Sequence, residues 1–205
     1  MARFGLSALR SLLGRAGNRR TPWQPPEASW SRSFGLGWES PYTVRYASNL
    51  DDGPDHGMPL GGFGAGCFGR SPSGAFNLWN LDGGEHWFGS IPDCQFALWE
   101  RQGESVHAHA LATAPESDDT DPNRGTPLSA WKWYPASTQC RSTGTYAARY
   151  PLSWTHFEDV YRADVLCEAF SPILPGDYQR TSYPVAVFRW QLSNPTDCLL
   201  YTSDA

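Results

Sequence analysis

The stretch CQFALWERQGESVHAHAL, residues 94–111, carries the clearest secondary-structure signal in this chain of 205 residues. Two strand-like runs, residues 94–99 and 105–111, flank the short segment ERQGE, which contains one glycine. A short glycine-containing loop between two such runs is typical of a β-hairpin. The sequence therefore predicts a hairpin here, and the fold is built outward from it.

Further strand signals occur on both sides of this hairpin. They cover residues 41–46, 75–81, 144–150, 162–170 and 184–192. Folded structure is expected to begin near Trp30, and no later segment has a convincing helical pattern. Strands separated by turn signals predict an all-β fold, an antiparallel β-sandwich. We assign residues 30–198 to this sandwich and residues 1–29 to a disordered basic tail with a proline-rich linker.

The N-terminal residues 1–21 contain five arginines and no acidic residue, and four leucines fall at helical spacing. A basic amphipathic helix of this kind could touch an anionic membrane surface. The segment also has a superficial likeness to a transit peptide, and a disordered tail explains it equally well. We expect a cytoplasmic protein, with a peripheral position at a membrane surface as the further expectation.

Composition excludes several classes of function. The net charge is −5 and 18% of the residues are charged, which argues against a nucleic-acid partner. The five cysteines are widely spaced and contain no C-x-x-C, so we expect buried free thiols in a reducing compartment. His107 and His109 have the spacing of metal ligands but no third ligand nearby, and we expect neither a metal nor a cofactor.

A second stretch, GMPLGGFGAGCFGR at residues 57–70, contains six glycines and a literal G-x-G-x-x-G. A dinucleotide site needs a helix directly after that motif, because the helix N-terminus holds the pyrophosphate. The residues that follow, RSPSG at 70–74, cannot begin a helix. The segment is therefore interpreted as a glycine-rich turn region where two sheets pack closely.

No catalytic set is evident from residue spacing. Hydrolysis of a glycoside needs two carboxylates that face each other across the bond. The possible acids are Asp82, Glu85, Glu158, Asp159 and Asp177. Their spacing favours no pair among them.

Three stretches in order resemble the N-terminal domain of glycoside hydrolase family 116. They are residues 57–70, residues 146–154 (YAARYPLSW), and residues 170–178 (FSPILPGDY) with SYPVAVF close behind at 182–188. The family includes the non-lysosomal glucosylceramidases, or bile-acid β-glucosidases, and bacterial β-glucosidases. The three stretches occur in the family's order, and the resemblance as a whole extends over roughly residues 30–198.

The resemblance implies a β-sandwich followed in the parent chain by an (α/α)₆ barrel, which is the partner of this domain. It implies retaining hydrolysis of β-glucosides or glycolipids, with both carboxylates in the barrel and none here. A free-standing carbohydrate-binding sandwich is the alternative. Residues 199–205 depart from the family pattern and are interpreted as a truncation artefact.

The resemblance also gives candidate residues for the domain interface or the substrate mouth. The glycine segment would provide turns at the interface, and aromatic side chains would line the mouth. For the aromatic residues, burial in the core is the alternative explanation. The candidates are Gly61, Gly62, Gly64, Arg70, Trp79, Trp87, Trp131 and Trp133.

Overall fold

The computed structural model describes residues 23–36, 57–81, 87–88, 91, 93–114, 132–196 and 201–204. The strand predicted at residues 41–46 lies outside this part of the chain, as do residues 1–22 of the predicted tail. The statements below concern the described residues.

Almost all regular structure is β. The strands are β1 (Trp30–Ser33), β2 (Met58–Leu60), β3 (Cys67–Arg70), β4 (Phe76–Asn80), β5 (Trp87–Phe88), β6 (Ala97–Gln102), β7 (Ser105–Ala110), β8 (Gly144–Arg149), β9 (Leu152–Phe157), β10 (Asp164–Phe170), β11 (Val187–Ser193) and β12 (Tyr201–Asp204). A four-residue helix, α1 (Tyr178–Thr181), precedes β11. This short helix corrects the expectation that no helix follows Trp30. It is started by Asp177, whose carboxylate accepts the Arg180 N–H as an N-cap.

The strands form three antiparallel sheets. The largest has the order β1-β8-β9-β10-β11, and the smaller two have the orders β2-β3-β4-β5 and β12-β6-β7. Both smaller sheets contact the largest one. Leu98 of β6 shares a core with Val165 of β10, and the Met58 N–H of β2 donates to the Tyr146 hydroxyl of β8 at 2.9 Å. The fold is the predicted all-β sandwich.

The core lies where the five-stranded sheet meets the hairpin sheet. Val165, Cys167 and Ala169 of β10 are all buried, because alternate residues of a strand point to the same face. Aromatic rings fill most of the remaining space. The buried cluster comprises Phe34, Leu98, Leu111, Tyr134, Phe157, Tyr161, Ala163, Val165 and Cys167.

The predicted hairpin is present, but its first strand begins and ends three residues later than the sequence indicated, and its loop is shorter. Gln102 pairs with Ser105, so the loop is only two residues, with Gly103 at a φ of +59°. Glu100, placed in the loop by its polarity, lies in β6 and is fully buried. Its two carboxylate oxygens accept the backbone N–H groups of Arg162 and Ala163 at 2.8 and 2.7 Å. These bonds make a buried carboxylate tolerable within a strand.

Six strands were missed as strands by the sequence pattern: β1, β2, β3, β5, β9 and β12. Nearly every residue of β9 is buried, including the polar residues Ser153, Thr155 and His156. The strands β2 and β3 lie inside the glycine segment, where turns were expected. The segment has turns only at its centre, between Leu60 and Cys67.

The described cysteines correct another expectation in part. Cys67, Cys94, Cys140 and Cys167 are all free thiols. Only Cys167 is buried, whereas Cys94 and Cys140 are exposed. Burial therefore does not explain the cysteines as a group.

Candidate functional site

The central part of the glycine segment, between β2 and β3, forms a tight turn. This turn is hydrogen-bonded to the residue after β10 and to α1. Met58 and Leu60 are buried and align β2 with β3. Beyond them, the Gly61 N–H donates to the Ser171 hydroxyl at 2.7 Å, and the Phe63 N–H donates to the Thr181 carbonyl at 2.9 Å. These two bonds fix the turn against residues that lie more than a hundred positions later in the chain.

Two of the glycines are required by close backbone approach. A Cβ added to Gly61, which has a φ of +148°, would lie 2.3 Å from the Gly66 carbonyl oxygen. A Cβ added to Gly62 would lie 2.4 Å from the Ser182 carbonyl oxygen. Both separations are far below a normal contact and involve backbone atoms. These positions therefore accept only glycine without a shift of the surrounding chain.

The turn forms one wall of a groove of about 390 Å³. The opposite walls come from the end of β4, from the connection between β8 and β9, and from the residues after β10. The candidates Gly61, Gly62 and Gly64 all line this groove, together with Asn80, Tyr150 and Ser171 among others. None of the described residues that line it is Asp, Glu, Lys, Arg or His. We call this feature the glycine groove.

Two aromatic side chains on the rim of the glycine groove are open to solvent. Phe63 is 63% exposed and Tyr150 is 60% exposed. Tyr178 of α1 packs its ring against Phe63, with 6.5 Å between ring centroids, and is exposed as well. Exposed rings grouped at a concave surface commonly mark a site of recognition.

Arg70 lies in the interior, away from the groove. Its side chain is only 3% exposed and donates to the Thr155 hydroxyl and to the Leu111 carbonyl, both at 3.2 Å. Burial lowers the pKa of its guanidinium, and Cys167 and Tyr146 act weakly in the opposite direction. Arg70 thus joins the four-stranded sheet to the five-stranded sheet.

The candidate tryptophans are brought together only in part. Trp79 of β4 and Trp87 of β5 are register partners with 6.3 Å between ring centroids, and Trp79 also stacks on Phe68. Trp87 is 51% exposed. Trp133 is half-buried and lies elsewhere, in a bridge beside the end of β7, and Trp131 is outside the described residues.

The acidic candidates that the structure describes make contacts of a structural kind. Glu158 and Asp164 approach the two ring nitrogens of His156 at 3.0 and 2.6 Å. Asp177 caps α1, and Asp159 is exposed, with Arg141 at 4.0 Å. Asp82 and Glu85 lie outside the described residues. The sequence pattern did not identify Asp164 as a candidate, because its contact with His156 depends on the pairing of β9 with β10.

His107 and His109 lie on β7 as expected, but the ring of His109 packs between Tyr134 and Tyr161. Burial lowers the pKa of His109 to about 4, helped by the nearby charges of Lys132 and His107. A neutral, packed ring is what such an environment favours. Across the part of the chain that the structure describes, no group of three or more His, Cys, Asp or Glu residues is arranged to hold a metal.

The fold and the groove together describe an antiparallel β-sandwich domain with a groove of neutral residues and a core rich in aromatic side chains. Residues 57–203 match the family model described as beta-glucosidase 2, glycosyl-hydrolase family 116 N-term. The chain belongs to this family, which confirms the resemblance seen in the sequence. An N-terminal domain of a glycosyl hydrolase implies a partner catalytic domain in the same protein.

The first and last residues of the match bear on the domain bounds predicted from the sequence. The match begins at Gly57, at the start of the glycine segment. It extends to residue 203 and so includes most of residues 199–205, which were interpreted from the sequence as an artefact. In this region, β12 forms an antiparallel pair with β6. Within the described residues, no helix has the length and apolar character needed to cross a membrane.

Proposed function

We propose that this domain is the non-catalytic N-terminal unit of a retaining β-glucosidase that acts on β-glucosides, including glycolipids of the glucosylceramide type. One observation carries the proposal beyond the family match. The described candidate carboxylates cap a helix, accompany a histidine or remain at the open surface, and none lines the glycine groove. A glycosidase centre needs two carboxylates across a cleft.

In this proposal the chemistry belongs to the partner catalytic domain, an (α/α)₆ barrel in the same protein. The sandwich supports that barrel and contributes a wall beside its substrate mouth. The exposed rings of Phe63 and Tyr178 and the exposed side chain of Trp87 are the apolar surfaces that favour such a role. The proposed location is the cytoplasm, with the five arginines of residues 1–21 favouring contact with an anionic membrane surface.

The test is hydrolysis of an aryl β-glucoside by the purified chain. We expect no turnover, because both reacting carboxylates are assigned to the barrel. Turnover that disappears in Glu158→Gln or Asp177→Asn would contradict the proposal. Reading the gene past codon 205 gives an independent check, since the proposal expects several hundred further codons with helical repeats.

The protein encoded by that complete reading frame provides the matched control. It should hydrolyse the same glucoside, and Glu158→Gln should leave kcat unchanged there. A large fall in kcat without a fall in folded protein would place chemistry in this domain. Cosedimentation with vesicles that contain an anionic lipid tests the location, with Arg15, Arg19 and Arg20 changed to Gln as the comparison.

A further inference from the structure

We infer that the glycine groove binds the ring of a neutral sugar, with the glucose ring of a β-glucoside as the expected ligand. The choice of glucose rests on the proposed function, whereas the sugar class follows from the groove itself. Three properties of the groove carry the inference: its size, its lack of charge, and its combination of exposed rings with hydroxyl and amide groups.

The size is suitable for a small ligand. Ligand sites in proteins commonly have volumes of roughly 300–1,000 Å³. The glycine groove, at about 390 Å³, falls at the lower end of that range. The volume is sufficient for a single sugar ring.

The chemistry of the lining favours a neutral ligand. None of the described side chains that line the groove carries a formal charge at neutral pH, so they offer no counter-charge to a phosphate, a carboxylate or a metal ion. Sugar rings are neutral, have one face of C–H groups, and have hydroxyl groups around their edge. The exposed rings of Phe63 and Tyr150 provide apolar surface for such a face.

Polar groups lie deeper in the same groove. Ser171 is only 4% exposed, and its hydroxyl accepts the Gly61 N–H. That bond uses the oxygen as an acceptor, and the described residues show no acceptor for its hydrogen. The Ser171 hydroxyl can therefore donate to a ligand, and two further residues with polar side chains, Asn80 and Tyr150, line the same space. A few convergent polar groups in an apolar pocket are what fix the orientation of a small ligand.

The wall of the groove is also preorganised. Gly62 packs against the Ser182 and Tyr183 carbonyl oxygens, and the Phe63 N–H is held by Thr181. At the tip, a Cβ on Gly64 would meet nothing within 4 Å, so side-chain space is open at this lining residue of the groove. A backbone that is already in place does not have to be ordered when a ligand binds.

The experiment is a titration of the isotope-labelled chain with methyl β-glucoside, followed by NMR of the backbone amides. We expect saturable shifts at Gly61, Phe63 and Gly64. Phe63→Ala and Tyr150→Ala should each weaken binding by about tenfold, since an aromatic contact contributes up to about 1.5 kcal/mol. Val106→Ala, a change at an exposed apolar residue of β7 outside the groove, should leave binding unchanged.

Two results would overturn the inference. One is the absence of saturable shifts at roughly 50 mM glucoside, far above the usual range of substrate affinities. The other is binding that survives in both aromatic variants, or binding of cyclohexanol that equals binding of the glucoside. Both variants change exposed side chains, and their amide spectra report whether they are folded. Turnover by the purified chain would contradict the proposed function alone, so the two ideas fail separately.

Discussion

The guanidinium of Arg70 lies over the ring of Phe96, with 5.6 Å between its Cζ atom and the ring centroid. The ring of Phe76 lies 5.9 Å from the same atom. Within the described residues Arg70 makes no ion pair, and its Nε has no hydrogen-bond partner. A buried cation is thus held by two rings, one hydroxyl and one carbonyl, in place of a carboxylate.

Removal of this side chain should destabilise the domain. Arg70→Ala is expected to lower the free energy of unfolding by about 3 kcal/mol or more, because it leaves a cavity and an unsatisfied Leu111 carbonyl. Arg70→Met fills much of the same volume without a buried charge and should cost clearly less. Urea unfolding at neutral pH compares the two variants. Equal losses would show that the charge, rather than the packing, determines the effect.

The stability of the domain should fall on acidification through His109. Its pKa of about 4 in the fold lies below the ordinary 6.5, so the unfolded chain binds a proton first. Stability is therefore full above about pH 6.5 and decreases as the pH falls towards 4. Unfolding measured between pH 7 and pH 4 should show a smaller decrease in His109→Phe. An identical decrease in that variant would assign the effect to other groups.

A methyl group at Gly62 should be costly for steric reasons alone. In Gly62→Ala the new Cβ would lie 2.4 and 2.6 Å from the Ser182 and Tyr183 carbonyl oxygens. We expect a loss of about 2 to 3 kcal/mol, as for an overpacked core. Gly64→Ala is the matched control, because its Cβ meets nothing and only its φ of +75° is unfavourable, at about 1 kcal/mol. Thermal unfolding that ranks the two variants in the opposite order would contradict the described path of the turn.

The thiols should differ in reactivity. Burial raises the pKa of Cys167 to about 11, so this thiol is protonated at neutral pH and shielded from reagents. Cys94 and Cys140 are exposed. Brief treatment of the native chain with iodoacetamide should label these two, and mass spectrometry should find Cys167 labelled only after unfolding. Labelling of native Cys167 at a similar rate would show that the core opens readily.

Local pattern was sufficient to predict the class of fold but not all of its strands. The hairpin of β6 and β7 has a turn signal between two strand-like runs, and β11 alternates from Phe188 to Ser193. By contrast, β9 is buried on both faces although half of its residues are polar, so its composition did not indicate an interior strand. Glu100 was predicted to lie in the hairpin loop. Its burial could not be predicted from local sequence, because the backbone amides of Arg162 and Ala163 that donate to it lie 62 and 63 residues away.

The candidate site was predictable only on the side of the glycine segment. Its dense glycines indicated close packing, which Gly61 and Gly62 show. Tyr150 lies between β8 and β9 and Ser171 follows β10, and no spacing in a single sequence reveals that they share a groove with Gly64. Arg70 ends the same segment but lies in the interior, at a register shift between β3 and β4, where its guanidinium donates to the Thr155 hydroxyl.

The contacts that hold the glycine segment determine when it can fold during synthesis of the chain. The Met58 amide is bonded to a side chain 88 residues later, and the Gly61 amide to one 110 residues later. The segment therefore leaves the ribosome long before its partners exist, and it cannot settle until Ser171 has been made. Such non-local contacts slow folding, because the intervening chain must be closed before they form. During that interval the apolar side chains of Met58 and Leu60, which are buried in the fold, are exposed to solvent and can associate with other chains.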